Sequence, residues 1–162
     1  MPLQGMTANS GAIFLYSDFL TFKLDLTSSL LIDRANVVYR EHWNLDVRAL
    51  RVLRLVCAEP DITPKQVSQR ALIEKTLLSK VLAELDTRGL IGRTAHPSDG
   101  RSVALRATSA GLKIGRASEA LGSALEAELA KTLSASERKT LERLLDKLSR
   151  NLLNDGFPSA DK

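Results

Sequence analysis

The chain has 162 residues, 44% of them apolar and 26% charged, with a formal net charge of +4 at neutral pH. That length fits one domain with a real core, or one domain whose long helices also serve an oligomer, and the proportions exclude the disordered class. No uncharged apolar run nears the ~18 residues of a membrane span; GAIFLY (11–16) is short, lacks a basic flank and meets Asp18, so a cytoplasmic protein without membrane contact is expected.

In chain order, residues 1–17 read as an N-terminal extension. From Ser17 or Asp18, either one a suitable N-cap, the sequence runs to Trp43 without Gly or Pro, which predicts one long helix. Leu20, Leu24, Leu31, Ala35 and Val38 form one apolar stripe, while Phe19, Phe22, Leu26, Leu30 and Val37 form a second, rotated from the first. A helix apolar on two sides must be covered on two sides, and a partner subunit is the economical second cover. Asn44 or Asp46 can cap the next helix, which turns Leu50, Leu53 and Val56 inward, with Val52 and Leu55 beside them, and breaks at Glu59-Pro60-Asp61. Cys57, the only cysteine, lies in this apolar run and reads as a buried, inert thiol.

TPKQ (63–66) then combines a Thr cap, a proline at the first helical position and a Gln that can reach back to the cap. It opens a short helix over roughly 64–71 that buries Val67 and Ala71. A second helix begins near Glu74, with Leu78, Val81, Leu82 and Leu85 on one face, and stops at Arg88-Gly89. Two short helices joined by a tight turn form a helix-turn-helix by spacing. LIGRTA (90–95) has the length of a strand, HPSDGR (96–101) is rich in turn formers, and SVALRAT (102–108) alternates, with Val103, Leu105 and Ala107 on one face. A helix-turn-helix followed directly by a hairpin is a winged helix-turn-helix. Thr108 or Ser109 restarts a helix that runs to about Thr132 and keeps Gly111, Gly115 and Gly122, read as sites of close helix packing between subunits. Ser134 and Glu137 form a second capping box, and the last helix carries Leu141, Leu144, Leu145, Leu148 and Leu152 as one stripe before a polar tail at 154–162. The fold class is mainly α with a small β-hairpin wing (α+β).

The charge is unevenly placed. Residues 1–64 hold 6 Lys/Arg against 7 Asp/Glu, residues 65–106 hold 8 against 4, and residues 107–162 hold 9 against 8. The basic excess therefore coincides with the winged segment, as a polyanion-facing surface requires. On the second helix of the motif, Lys75, Thr76, Leu77, Ser79 and Lys80 lie opposite the core stripe, where basic and small polar side chains reach base edges and phosphates; Lys65 on the first helix adds a basic group. Arg101 beside the hairpin tip is long enough for a narrow minor groove, Asp99 can orient it, and Gly100 supplies a positive φ if the turn needs one. Arg93 and Arg106 on the strands are placed for phosphate contacts. Tyr39, His42, Trp43 and Arg51 form a candidate pocket for an aromatic acid where the first two helices meet. No phosphate loop, nucleophile elbow, Cys-His pair or metal-ligand spacing occurs, so no enzyme, cofactor or metal is expected.

The stretch EKTLLSKVLAELDTRGLIGRTAHPSDGRSVALRATSAG (74–111) resembles the signature of the MarR family of bacterial transcriptional regulators. The likeness lies in the recognition helix, the Arg-Gly-Leu helix end, the wing Asp-x-Arg and the Leu-x-x-Thr-x-x-Gly exit into the next helix. The order of elements over 18–153 agrees with it. The resemblance implies a homodimer whose first and last helices (18–45 and 109–153) form the interface, and a winged lobe (46–108) that binds double-stranded DNA at a palindromic operator. It also implies repression relieved by a small aromatic or anionic effector. Carried over, the wing arginine is Arg101, its partner Asp99, and the recognition contacts Thr76, Ser79 and Lys80. The chain departs from the family at Leu72, where Gly is common, at Glu74, where Ser or Asp caps the helix, at Gly100, where a second basic residue is frequent, and at Lys80, where Arg is. The alternative is a winged-helix module that docks on protein without specific DNA binding.

Overall fold

The computed structural model describes residues 18–97 and 99–154, with all their side chains except those of residues 96, 99–101 and 129. The extension at 1–17 and the tail at 155–162 lie outside the described residues. Two units are present, one ending at Gly122 and one beginning at Ser123.

The first unit opens with α1 (Leu20–Trp43). Its N-cap is Phe19, which offers no side-chain bond; Asp18 stands in a turn, and Ser17 is outside the described residues, so neither expected cap is observed. At its other end Asn44 adopts a left-handed conformation (φ 51°) and donates its N–H to the Arg40 carbonyl. Tyr39 is the buried residue of α1, while Leu20, Leu24, Leu30, Leu31 and Val37 remain exposed.

Helix α2 (Val47–Ala58) is the centre of the core: Ala49, Leu50, Val52, Leu53 and Val56 are all buried. Asp46, rather than Asn44, caps it, accepting from the Ala49 N–H at 2.8 Å. Helix α3 (Pro64–Ala71) begins with the expected capping box, Gln66 N–H to Thr63 Oγ1 and Thr63 N–H to Gln66 Oε1, and buries Val67 and Ala71. A turn through Leu72 and buried Ile73 leads to α4 (Lys75–Thr87), whose inward stripe is Leu78, Val81, Leu82 and Leu85. Arg88 ends it, and Gly89 takes the positive φ (65°) that follows a helix end.

Strands β1 (Ile91–His96) and β2 (Asp99–Ala107) pair antiparallel, from Ile91 opposite Ala107 to Ala95 opposite Val103. The next pair is His96 with Asp99, so the register shifts here and β2 carries the extra residues Gly100 to Ser102 between the two pairs. Much of the expected turn is thus strand and bulge. The expected alternation also fails. Ala104 and Leu105 are both buried and Val103 is exposed. Near its base the strand is thus enclosed on both faces, and its other edge is also paired: Asp61 N–H donates to the Leu105 carbonyl and Leu105 N–H to the Ile62 carbonyl. Val103, nearer the tip, projects beyond that cover.

Helix α5 (Ser109–Leu129) is capped by Thr108, whose hydroxyl accepts from Gly111 N–H (3.1 Å) and donates to the Gly89 carbonyl (2.7 Å). It ends at Leu129, short of Thr132, and the chain turns through 130–133. Its glycines pack closely within the chain. A Cβ at Gly111 would lie 2.0 Å from the Leu90 carbonyl oxygen, at Gly115 2.8 Å from Cys57 Sγ, and at Gly122 2.7 Å from the Tyr39 hydroxyl.

In the second unit α6 (Ala135–Asn154) starts with the reciprocal bonds of Ser134 and Glu137, which hold the Glu137 carboxyl below its usual range. None of its residues is buried; Leu141, Leu144, Leu145 and Leu152 are exposed. Among the described residues no helix is long and apolar enough to cross a membrane.

Candidate nucleic-acid interface

The buried stripe of α4 turns Lys75, Thr76, Ser79 and Lys80 outward, all exposed on one short helix. Leu77 is half-buried at the border of the two faces, less available than its spacing implied. The hydroxyls have a defined polarity. Ser79 donates to the Lys75 carbonyl (3.0 Å) and Thr76 to the Glu74 carboxylate (3.0 Å), so both present lone pairs outward. Glu74 caps the helix, accepting from the N–H groups of Thr76 (3.1 Å) and Leu77 (3.4 Å). The Thr76 N–H and hydroxyl hold its carboxyl below the usual range; desolvation opposes them, and the Leu77 N–H and Lys80 add smaller contributions in the same downward direction. A longer carboxylate thus does the capping work of Ser or Asp.

Lys65 is exposed on α3. The strand arginines differ from the expectation of free phosphate ligands, because each has a carboxylate partner. Arg93 pairs with Asp86 near the end of α4 (3.1 Å). Arg106 forms a two-pronged pair with Asp61, both N···O distances 2.6 Å, and this hydrogen bonding raises its pKa. That fork ties the base of β2 to the α2–α3 connection, where Asp61 itself holds a positive φ (69°). Asp99 and Arg101 lie on the tip side of β2; their side chains, and the φ of Gly100, are outside what is described.

At the end of α1, Tyr39, His42 and Trp43 do gather: ring centroids are 6.2 Å apart for Tyr39–Trp43 and 5.4 Å for His42–Trp43. Tyr39 is buried, Trp43 half-buried and His42 exposed, with its Nδ1 donating to the Val38 carbonyl. Arg51 is exposed on α2. The cation that meets the Tyr39 ring is Arg54, 5.6 Å from its centroid and bonded to its hydroxyl (3.3 Å), to Ser118 Oγ (2.9 Å) and to the Ser118 carbonyl. Sequence reasoning passed over Arg54, although its place four residues after Leu50 and three before Cys57 puts it at the edge of the core stripe. Cys57 is half-buried; burial pushes its thiol up, with Arg116 opposing in part, so it is protonated at neutral pH. Among the described residues no group of three or more His, Cys, Asp or Glu is arranged to hold a metal ion.

Residues 43–102 match the model of the MarR family. The chain is 32% identical over 117 residues to the multiple antibiotic resistance protein MarR of Escherichia coli, covering 72% of this chain and 81% of that protein. It is 27% identical over 96 residues to an HTH-type transcriptional repressor of Mycobacterium bovis, covering 59% of this chain and 69% of the other. A crystal structure of an Escherichia coli MarR mutant complexed with operator DNA aligns with a TM-score of 0.74 at 25% identity, over 83% of this chain and 97% of that one. A MarR/EmrR family transcriptional regulator from Acinetobacter sp. ADP1 shares the fold at 19% identity, with a TM-score of 0.75 over 89% and 99% of the two chains. With its winged helix-turn-helix and this degree of likeness, the chain belongs to the MarR family.

Proposed function

We propose that this protein is a homodimeric, sequence-specific DNA-binding regulator of transcription, a cytoplasmic repressor whose hold on a palindromic operator is relieved by a small aromatic or anionic effector. The observation that carries the reading is the outer face of α4, where Lys75, Thr76, Ser79 and Lys80 stand together on a helix fixed by four buried aliphatic residues. Such a face fits the major groove: the lysines meet phosphate or guanine, and the outward lone pairs of Thr76 and Ser79 accept from base amino groups. The relatives named as repressors and the relative complexed with operator DNA support the same role. Lys65 adds a phosphate contact, Arg101 enters the minor groove from the wing with Asp99 beside it, and Arg93 reaches phosphate by leaving Asp86. Arg106 serves as an anchor of the wing. Residues 18–45 and 109–153 supply the dimer helices and 46–108 the DNA lobe, with the effector received near Tyr39, His42, Trp43 and Arg51.

The test is a fluorescence-anisotropy titration against duplex from upstream of the protein's own gene and a scrambled duplex. Binding to the native duplex is expected to be tighter and to weaken steeply between about 50 and 200 mM salt, because each neutralised phosphate releases counterions. Arg101→Ala is expected to lower operator affinity by about 1–3 kcal/mol. Weak, salt-insensitive binding to both duplexes would instead assign the wing to a protein partner.

A further inference from the structure

The side chain of Arg88 joins two helices that the DNA-binding reading makes functionally distinct. Arg88 is the C-cap of α4, the proposed recognition helix, and its guanidinium donates to the carbonyls of Trp43 and of Asn44 (2.8 Å) at the C-terminal end of α1. Those carbonyls belong to a helix end that lacks intrahelical partners and carries the negative pole of the helix dipole, so a planar cation is favoured there twice over. Glu84, one turn back on α4, holds the same guanidinium at 3.6 Å. Other attachments of the α1 end go to α2: Asn36 accepts from Val47 N–H (2.8 Å), and Tyr39 accepts from Arg54. Arg88 makes an attachment from the recognition helix itself.

We infer that Arg88 is a positioning residue that sets the angle between α1 and the recognition helix, and through it the half-site separation the dimer accepts. The inference rests on the DNA-binding dimer proposed above. Its leverage follows from length. At about 1.5 Å per residue the 24-residue α1 is roughly 36 Å long. A swing of about 5° at its root therefore moves its far end through about 3 Å, close to the ~3.4 Å rise of one base pair. Small angular play at Arg88 thus corresponds to a whole step of register on DNA. The buried stripe of α4 does not depend on Arg88, so the lobe keeps its core when the strut is removed. Lysine, a single point donor, replaces only part of a fork that spans two carbonyls.

The experiment compares the wild type with Arg88→Met and Arg88→Lys. Inter-protomer distances are read by pulsed electron spin resonance from a label at exposed Gln69→Cys in a Cys57→Ser background. Affinities are read on a palindrome selected from a randomised duplex pool, with its half-sites moved apart or together by one base pair. The wild type is expected to give a narrow distance distribution and to prefer one spacing about tenfold, the scale of a lost base-pair contact. Arg88→Met is expected to broaden the distribution and cut that preference to below about threefold, with Arg88→Lys in between. If Arg88→Met lowers only the unfolding midpoint and leaves both readouts unchanged, the residue merely stabilises the lobe and the inference falls. If Arg88→Met does not fold, unchanged readouts in Arg88→Lys overturn it equally. Absence of any inter-protomer distance in the wild type overturns the dimer reading together with this one, whereas intact distances without duplex selection overturn the DNA reading and the half-site role.

Discussion

A methyl group at Gly111 would stand 2.0 Å from the carbonyl oxygen of Leu90, a contact no side-chain rotation relieves because the neighbour is backbone. Leu90 also receives the Thr108 N–H through that carbonyl (3.0 Å), so its position is doubly held. Gly111→Ala is therefore expected to cost about 3 kcal/mol, the upper range of overpacking, whereas Gly92→Ala, with nothing within 4 Å, should cost far less; urea unfolding of the two variants checks this. Single side chains also decide how the exposed charges are used. Asp61 and Asp86 take up Arg106 and Arg93, so a count of arginines along the wing overstates the charge free to meet phosphate. The spacing of the sequence shows which residues face outward. It does not show which of them already have partners, since Arg106 and Asp61 are 45 positions apart.

At the scale of elements, the turn between α3 and α4 shows a local cost carried by a sound motif. Leu72 adopts the left-handed conformation (φ 53°) and is 85% exposed, so it gains little from burial. A left-handed L-residue costs about 1–2 kcal/mol, and glycine returns about 0.4–1 of that through its freer unfolded chain. Leu72→Gly is accordingly expected to raise stability by about 0.5–1 kcal/mol, read as a higher denaturation midpoint with unchanged slope. The helices were legible because their signals are local: the boxes at Thr63 and Ser134 and the stripe from Leu78 to Leu85 all lie within one or two turns. The wing was less so. Its alternation predicted Val103 inward and Ala104 outward, whereas Ala104 is buried and Val103 exposed beside a base where the chain at Ile62 also pairs with the second edge of β2. That contact is non-local and leaves no mark in the strand's own pattern.

For the whole molecule, the apolar surfaces left exposed matter most. In the first unit α1 exposes Leu20, Leu30 and Val37, and in the second α6 exposes Leu141, Leu144 and Leu145 without burying any residue. A water-facing leucine stripe of this kind is what a helix offers to another chain. On the dimeric reading proposed above, Leu145→Glu is expected to shift the protein toward monomer in sedimentation-velocity runs and, because that reading has both half-sites engaged together, to weaken operator binding more than tenfold. Full retention of the dimer would remove α6 from the interface.

Helix placement, both capping boxes, the core of α2 and α4, the presence of a wing and the family all follow from short-range pattern, because hydrophobic periodicity and cap chemistry act over a few residues. Four other features required the folded chain: the partners of Arg93 and Arg106, the intrachain packing of the glycines of α5, the choice of Arg54 over Arg51 beside Tyr39, and the reach of Arg88 to the end of α1. Apart from Arg93 and Asp86, seven positions apart, these features join residues distant along the chain, and their meeting depends on how the helices cross rather than on what any one of them encodes.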